Sequence, residues 1–331
     1  MLNNIKRNLA LNRYIFISIA FTANAWSGNA WSTDTYKSSP YTKQLAQQLS
    51  KDASIEGVVD QTISTGTSIV EDKITSEMKK WIPTFEISLT ATSHGKPVYS
   101  VLGLVPLFET DNHLFFTQDS VFYNDDRRTV NIGLGYRNLS LNDKLLVGVN
   151  AFYDHEFPYD HARTSFGAEI RTTVAELNTN YYNGQTGWKP GANGLEERAM
   201  GGYDIEAGFA LPYIPNSRLY AKHFQWDAFD GATDLAGNTY ALNIVPYDGV
   251  LIEGGKKYFT GLSMQDTSFI QLRIDLIKVF DSKSKSKPLF SNKAYELSSM
   301  REYRYDRVRR ENIIQKQTRG GTGFTASVSG I

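Results

Sequence analysis

Between Thr84 and Phe280 apolar and polar positions alternate in stretches of about ten residues, the period-two pattern of strands whose two faces meet different surroundings. In "RTVNIGLGYR" the residues Val130, Ile132, Leu134 and Tyr136 share one face, while Thr129, Asn131, Gly133, Gly135 and Arg137 share the other. After a polar turn the pattern resumes, with Leu145, Val147, Val149, Ala151 and Tyr153 opposite Gly148, Asn150 and Asp154. The periodicity predicts twelve strands. The first six are Phe85–Ser93, Lys96–Phe108, His113–Tyr123, Arg128–Asn138, Lys144–Tyr153 and Arg163–Thr172. The others are Ala175–Tyr182, Met200–Leu211, Ser217–Trp226, Asn238–Val245, Val250–Phe259 and Asp266–Ile277. Two alternate less cleanly: Ser217–Trp226 puts Arg218 and Lys222 beside Phe224, and Val250–Phe259 puts Lys256 beside Tyr258 and Ile252.

Counted from the first strand, the odd connections include the two longest, Asn183–Ala199 and Asp227–Gly237. The even ones are mostly tight: Leu139–Asp143, Thr173–Val174, Pro212–Asn216 and Pro246–Gly249. An even number of strands with one tight-turn rim and one long-loop rim predicts an all-β membrane protein, a closed antiparallel outer-membrane barrel. Lipid offers no partner to an open sheet edge, so closure is required. A soluble β-sandwich also alternates, but the strand length and loop asymmetry favour the barrel.

In such a barrel the apolar face meets lipid and the other lines a lumen. The last strand predicts Ile270, Leu272, Ile274 and Leu276 outward, with Gln271, Arg273 and Asp275 inward. The lumen-lining set is Asn131, Gly133, Gly135, Gly148, Asn150, Gly167, Glu169, Asp204, Glu206, Gly208, Arg273 and Asp275. A small barrel normally fills with its own side chains. Its inward glycines are therefore expected to leave room for an occupant.

The flanks suggest which occupant. Residues 1–30 carry Lys6, Arg7 and Arg13 ahead of an apolar stretch from Tyr14 to Phe21, then small-residue cleavage patterns. That is the layout of a secretory signal peptide. Residues 31–83 form a spacer, with helical spacing between Tyr41 and Trp81 that reads as two short helices or a linker. After the barrel at 84–280 comes a basic linker and short tail at 281–331. About forty extended residues at roughly 3.3 Å each far exceed a hydrocarbon core about 30 Å thick. The linker is thus expected to thread the lumen, its cations pairing with Glu169, Asp204, Glu206 and Asp275, and its C-terminus outside. The alternative leaves Asp281–Ile331 as a periplasmic tail under an open or self-filled barrel.

Composition mainly excludes. Lys plus Arg and Asp plus Glu both number 35, so no global field favours nucleic acid. The chain has no cysteine, which removes thiol catalysis, disulfides and cysteine-zinc sites. Asp154, His155, Asp160 and His161 fall in one predicted outer loop, but no convergent partner makes them an acid–base site. "GLG" at Gly133–Gly135 lies inside a strand, so it is no phosphate loop. No enzyme, cofactor or metal is expected.

Several stretches resemble the β-domain of the intimin/invasin family of inverse autotransporters, over roughly Trp81 to Asn312. "NDDRRTVNIGLGYR" (Asn124–Arg137) looks like the family's most characteristic stretch, followed in order by Gly148, Asn150, Phe152, Asp154, His161, Arg163, Gly167 and Glu169. "NYYNGQTGWK" (Asn180–Lys189), "EERAMGGYDIEAGFALPYIP" (Glu196–Pro215) and "RYDRVRREN" (Arg304–Asn312) are also similar. The resemblance implies a twelve-stranded outer-membrane barrel with a periplasmic N-terminus. It also implies a linker threading the lumen and, in the family, an extracellular passenger that binds host cells. Here the sequence departs from the family. After Ile314 it reads "QKQTRGG" where an apolar, strand-like segment is usual, no LysM pattern precedes the barrel, and no passenger follows. The expected function is an outer-membrane barrel of intimin/invasin type that anchors and translocates a C-terminal segment. A minimal adhesin acting through its outer loops, or a truncated intimin-like product, are the alternatives. Expected partners are outer-membrane lipid, periplasmic chaperones and the barrel-assembly machinery, with a separately encoded passenger or a host-cell surface further out.

Overall fold

The structure, a computed structural model, describes residues 81–260, 264–281, 286, 288, 290–319 and 324–325. The leader at 1–30 and the helical spacing of 41–80 lie outside the described residues.

Twelve strands close a barrel. They are β1 (Thr84–Thr92), β2 (Val98–Glu109), β3 (His113–Asn124), β4 (Arg127–Ser140), β5 (Leu145–Phe157), β6 (His161–Arg171), β7 (Ala175–Gly184), β10 (Gly202–Leu211), β11 (Ile214–Trp226), β12 (Leu235–Tyr247), β13 (Val250–Thr260) and β14 (Thr267–Asp275). Each pairs antiparallel with its neighbours, and β14 closes on β1 from Glu86↔Asp275 to Thr92↔Phe269. No edge remains unpaired, as lipid requires.

The pleat sorts the faces by chemistry. On β4, Leu134 is 60% exposed and Ile132 40%, while Asn131 between β3 and β5 is 0% exposed. The ambiguous strand β11 turns Tyr220, Lys222, Phe224 and Trp226 into the buried interior. On β13 Lys256 points outward near the long-loop rim, its ammonium 4.7 Å from the Tyr258 ring and 3.5 Å from Asp266. Its long stem lets the charge leave the apolar belt.

Several expected boundaries are corrected. β5 runs on to Phe157 and β6 starts at His161, so Asp154 and His155 belong to a strand and only Asp160 of the four sits in the turn. The Asn183–Ala199 connection carries two short strands, β8 (Lys189–Pro190) and β9 (Glu196–Ala199). The last strand stops at Asp275 rather than Ile277. The Asp275 carboxylate accepts from the Ile277 and Lys278 amides and caps a short helix, α1 (Leu276–Val279), a local bond that outcompetes another rung of sheet. Within the polar stretch that follows Ile314, β15 (Lys316–Arg319) pairs with β9 and with β16 (Phe324–Thr325). Its register, from Lys316↔Ala199 to Arg319↔Glu196, is set by backbone bonds that need no apolar side chain.

Candidate functional site

Beyond α1 the chain follows the tight-turn rim and touches every tight turn in reverse chain order. Ser286 bridges Tyr247 by the β12–β13 turn. Asn216 donates to the Pro288 carbonyl, and Tyr213 exchanges main-chain bonds with Ser291 and Ala294 at the β10–β11 turn. Thr173, between β6 and β7, donates to the Glu296 carbonyl at 2.7 Å. At the β4–β5 turn the Met300 amide donates to the Asp143 carbonyl, Arg301 pairs with the Asp143 carboxylate at 2.6 Å, and the Met300 side chain packs on Leu139 and Leu146. Arg301 and Arg304 then reach the carbonyls of the β2–β3 turn. This collar ends where Thr84 holds the Tyr305 carbonyl at 2.6 Å.

From there the chain enters the barrel. Residues 307–317 are almost wholly buried and are touched by strands around the ring. An extended segment has no ladder of its own, so its main chain needs outside partners. Wall side chains supply them. Arg137 donates to the Arg304 and Asp306 carbonyls, and Gln118 accepts from the Val308 amide at 2.7 Å. Asn180 donates to the Arg309 carbonyl, Tyr182 accepts from the Glu311 amide at 2.6 Å, and Asn131 donates to the Asn312 carbonyl at 2.9 Å. Arg163 donates to the carbonyls of Glu311 and Ile313.

The tail's cations meet wall carboxylates: Arg309 pairs with Glu206 at 2.5 Å, Arg310 with Asp154 at 2.6 Å and Lys316 with Glu156 at 2.5 Å. Arginine suits this work because its planar fork holds a carboxylate bidentately and also stacks on rings. The Arg309 guanidinium lies 3.6 Å from the Tyr220 ring centroid and that of Arg310 4.2 Å from Phe152. Val308 packs among Leu104, Leu114, Phe116 and Phe152, and Ile313 against Val98 and Phe122.

The predicted lumen residues divide. Asn131 and Glu206 touch the tail directly. At the glycines the room goes first to neighbouring side chains of the wall. A Cβ on Gly133 would lie 2.1 Å from the Phe152 ring, one on Gly135 2.2 Å from Phe116, and one on Gly208 2.5 Å from Tyr220. Neighbouring rings lie flat over these glycines, so the wall stays thin and presents aromatic faces to the tail. Gly148 similarly admits Glu169, and Gly167 admits Asn180 and Asn150. Glu169 pairs with Arg137 of the wall at 2.6 Å, and Asp204 accepts from Asn180 and Tyr182, each at 2.7 Å. Both carboxylates hold the side chains that hold the tail, rather than pairing with the tail's cations as expected. Asp275 caps α1, and Arg273 lies 3.5 Å from Glu253. Arg137 and Asp154, on the polar face of the alternation, grip the tail as well, and so do Gln118, Arg163, Asn180, Tyr182 and Glu253, which the lumen-lining set leaves out. Each of these occupies an inward position of the same alternation, which is the signal that marks it.

At the long-loop rim Glu156, His161 and Glu197 bring three ligand atoms within 4.8 Å of one another. A metal does not fit the charge balance, because Arg127 pairs with both Glu156 and Glu197 and Lys316 with Glu156. Burial pushes the Glu197 carboxyl upward, but His161 at 3.3 Å and Arg127 at 2.7 Å outweigh it and hold it down at about 2.

The chain matches the family described as inverse autotransporter, beta-domain, over residues 40–312. It is 31% identical over 174 residues to a putative attaching and effacing protein homolog of Escherichia coli K12, covering 50% of this chain and 59% of that protein. It is 28% identical to intimin of Citrobacter freundii over 84% of this chain and 30% of that one. Against invasin of Yersinia enterocolitica the identity is 26%, over 70% of this chain and 28% of that one. The chain thus spans less than two thirds of the first relative's length and less than a third of the other two. A membrane-protein chain solved in work on in-meso crystallization shares the fold, with a TM-score of 0.59 at 23% identity, covering 71% of this chain and 100% of that one.

Proposed function

Since this chain belongs to the inverse autotransporter family through its β-domain, we propose that it anchors in the outer membrane and carries its own C-terminal segment through the barrel to the cell surface. The tight-turn rim then lies in the periplasm and the long-loop rim outside. The observation that carries this reading is the grip on residues 307–317: charged and amide side chains from around the wall are spent on the main chain of one extended segment. One relative, 30% identical over 44% of this chain, is named inverse autotransporter adhesin YeeJ of Escherichia coli K12. Adhesion by this chain is a second reading. It draws support from the long-loop rim, where Arg198 stacks on Phe229 at 3.6 Å and Arg319 lies 4.9 Å from Trp188, joining loops and tail in one surface. The assembly machinery and a separately encoded passenger belong to this proposal as partners.

Epitope tags test the direction. A tag after Ile331 is expected to bind antibody on intact cells, and a tag in the Thr173–Val174 turn only after permeabilisation. The reverse result would exclude the proposed orientation.

A further inference from the structure

The collar along the tight-turn rim carries two kinds of residue. Ser291 and Ala294 exchange main-chain bonds with Tyr213, and the Glu296 carbonyl and Ser298 amide bond the Thr173 hydroxyl. The large apolar side chains among them stay in the open: Phe290 is 75% exposed, Tyr295 53% and Leu297 50%. Water is a poor partner for such a run.

What lies alongside decides what covers it. Each turn that holds the collar joins strands whose apolar outward faces reach almost to the turn. Phe209 on β10 and Tyr213 in the β10–β11 turn are exposed, as are Ile170 and Leu177 on the strands flanking the β6–β7 turn and Leu141 in the β4–β5 turn. Phe108 and Phe115, on either side of the β2–β3 turn, have their ring centroids 6.3 Å apart. Aromatic rings at the end of an outward apolar band mark the boundary between hydrocarbon and headgroups. The collar runs at that boundary, so its exposed side chains continue the band of the barrel. The charges beside them are already matched within the protein: Lys293 pairs with Glu296 at 2.9 Å and Arg301 with Asp143 at 2.6 Å.

We propose that the collar is itself a membrane-binding element. Its Phe290, Tyr295 and Leu297 side chains seat among the phospholipid headgroups and upper acyl chains on the tight-turn side of the bilayer. The tail is then held twice before it enters the lumen, by the turns and by lipid. The contact is apolar, so zwitterionic lipid suffices. The proposal rests on the barrel spanning a membrane and not on the direction of translocation.

The chain has no cysteine, so single cysteines can carry a nitroxide label. The full chain is placed in phosphatidylcholine nanodiscs, whose two faces are both open to reagents. A label on Phe290→Cys or Leu297→Cys should collide more with oxygen than with a water-soluble nickel chelate. Leu134→Cys in the lipid-facing belt should show the same order, and Ala232→Cys, exposed in the β11–β12 connection, the opposite one. Positions 290 and 297 are independent, so a folding defect in one leaves the other to decide. Lys293, 65% exposed in its side chain, gives a second readout. Trypsin should cut after it several-fold faster in a variant with Phe290→Ser, Tyr295→Ser and Leu297→Ser, which retains the collar's bonds to the turns. Nickel access at 290 and 297 equal to that at 232 overturns the proposal, while the order at 134 still reports an inserted barrel. Low collision with both reagents would mean that protein covers the collar, and overturns it too. So does an equal rate of cleavage with and without the three serines.

Discussion

At the scale of single residues the lumen is built in three tiers: an inward glycine, a ring laid flat over it, and a guanidinium stacked on the ring. Gly208, Tyr220 and Arg309 form one such stack, and Gly133, Phe152 and Arg310 another. The tier explains why so small a residue recurs on a face that is packed. A methyl on Gly133 would meet the Phe152 ring at 2.1 Å and drive it toward Arg310, which also holds Asp154. Overpacking of this kind costs about 1–3 kcal/mol. Gly133→Ala is therefore expected to lower the urea midpoint of the refolded barrel. In Gly103→Ala, where a Cβ would meet nothing within 4 Å, the midpoint should stay level or rise, since glycine in a strand costs about 0.5–1 kcal/mol. Equal midpoints in the two variants would contradict the stacked tiers.

Among the elements, the long-loop rim is closed by a sheet of mixed origin, β8 and β9 from a connection and β15 and β16 from the tail. Its inner edge hangs on Glu197, which joins Arg127 of β4 to His161 of β6. The Glu197 carboxyl is held at about 2, against 4.5 for a free glutamate, so folding favours its ionised form. That contribution is complete above pH 4.5 and is lost as the pH falls from 4.5 toward 2, because the unfolded chain then binds the proton first. Amide hydrogen exchange at 196–199 should accelerate over that window in the wild type more than in Glu197→Gln. An identical pH response in the two would remove Glu197 from the account. The sequence made the barrel legible because lipid and lumen impose opposite chemistry on alternate residues for about ten residues at a time. It hid the sheet at the rim, since β15 is polar throughout and has no periodicity to read. It also hid the collar. Phe290, Tyr295 and Leu297 are exposed, so the rim-following path is fixed mostly by polar contacts to turns far away in sequence.

For the whole molecule, collar and lumen make one continuous path. The chain leaves β14, runs past the tight turns in reverse order, and passes inside the ring it has just encircled. The inward carboxylates were legible as pairing sites for a basic tail, but their division of labour was not. Glu206 meets the tail's arginine, whereas Glu169 and Asp204 hold Arg137, Asn180 and Tyr182 in position to grip its main chain. Only three-dimensional register separates those roles. Residues 307–317 fill the lumen, and the single-channel conductance of the full chain against that of a chain ending at Asp281, both refolded to the heat-modifiable form, tests this most directly. Conductance should be several-fold larger without the tail. Equal conductance in the two proteins would contradict it.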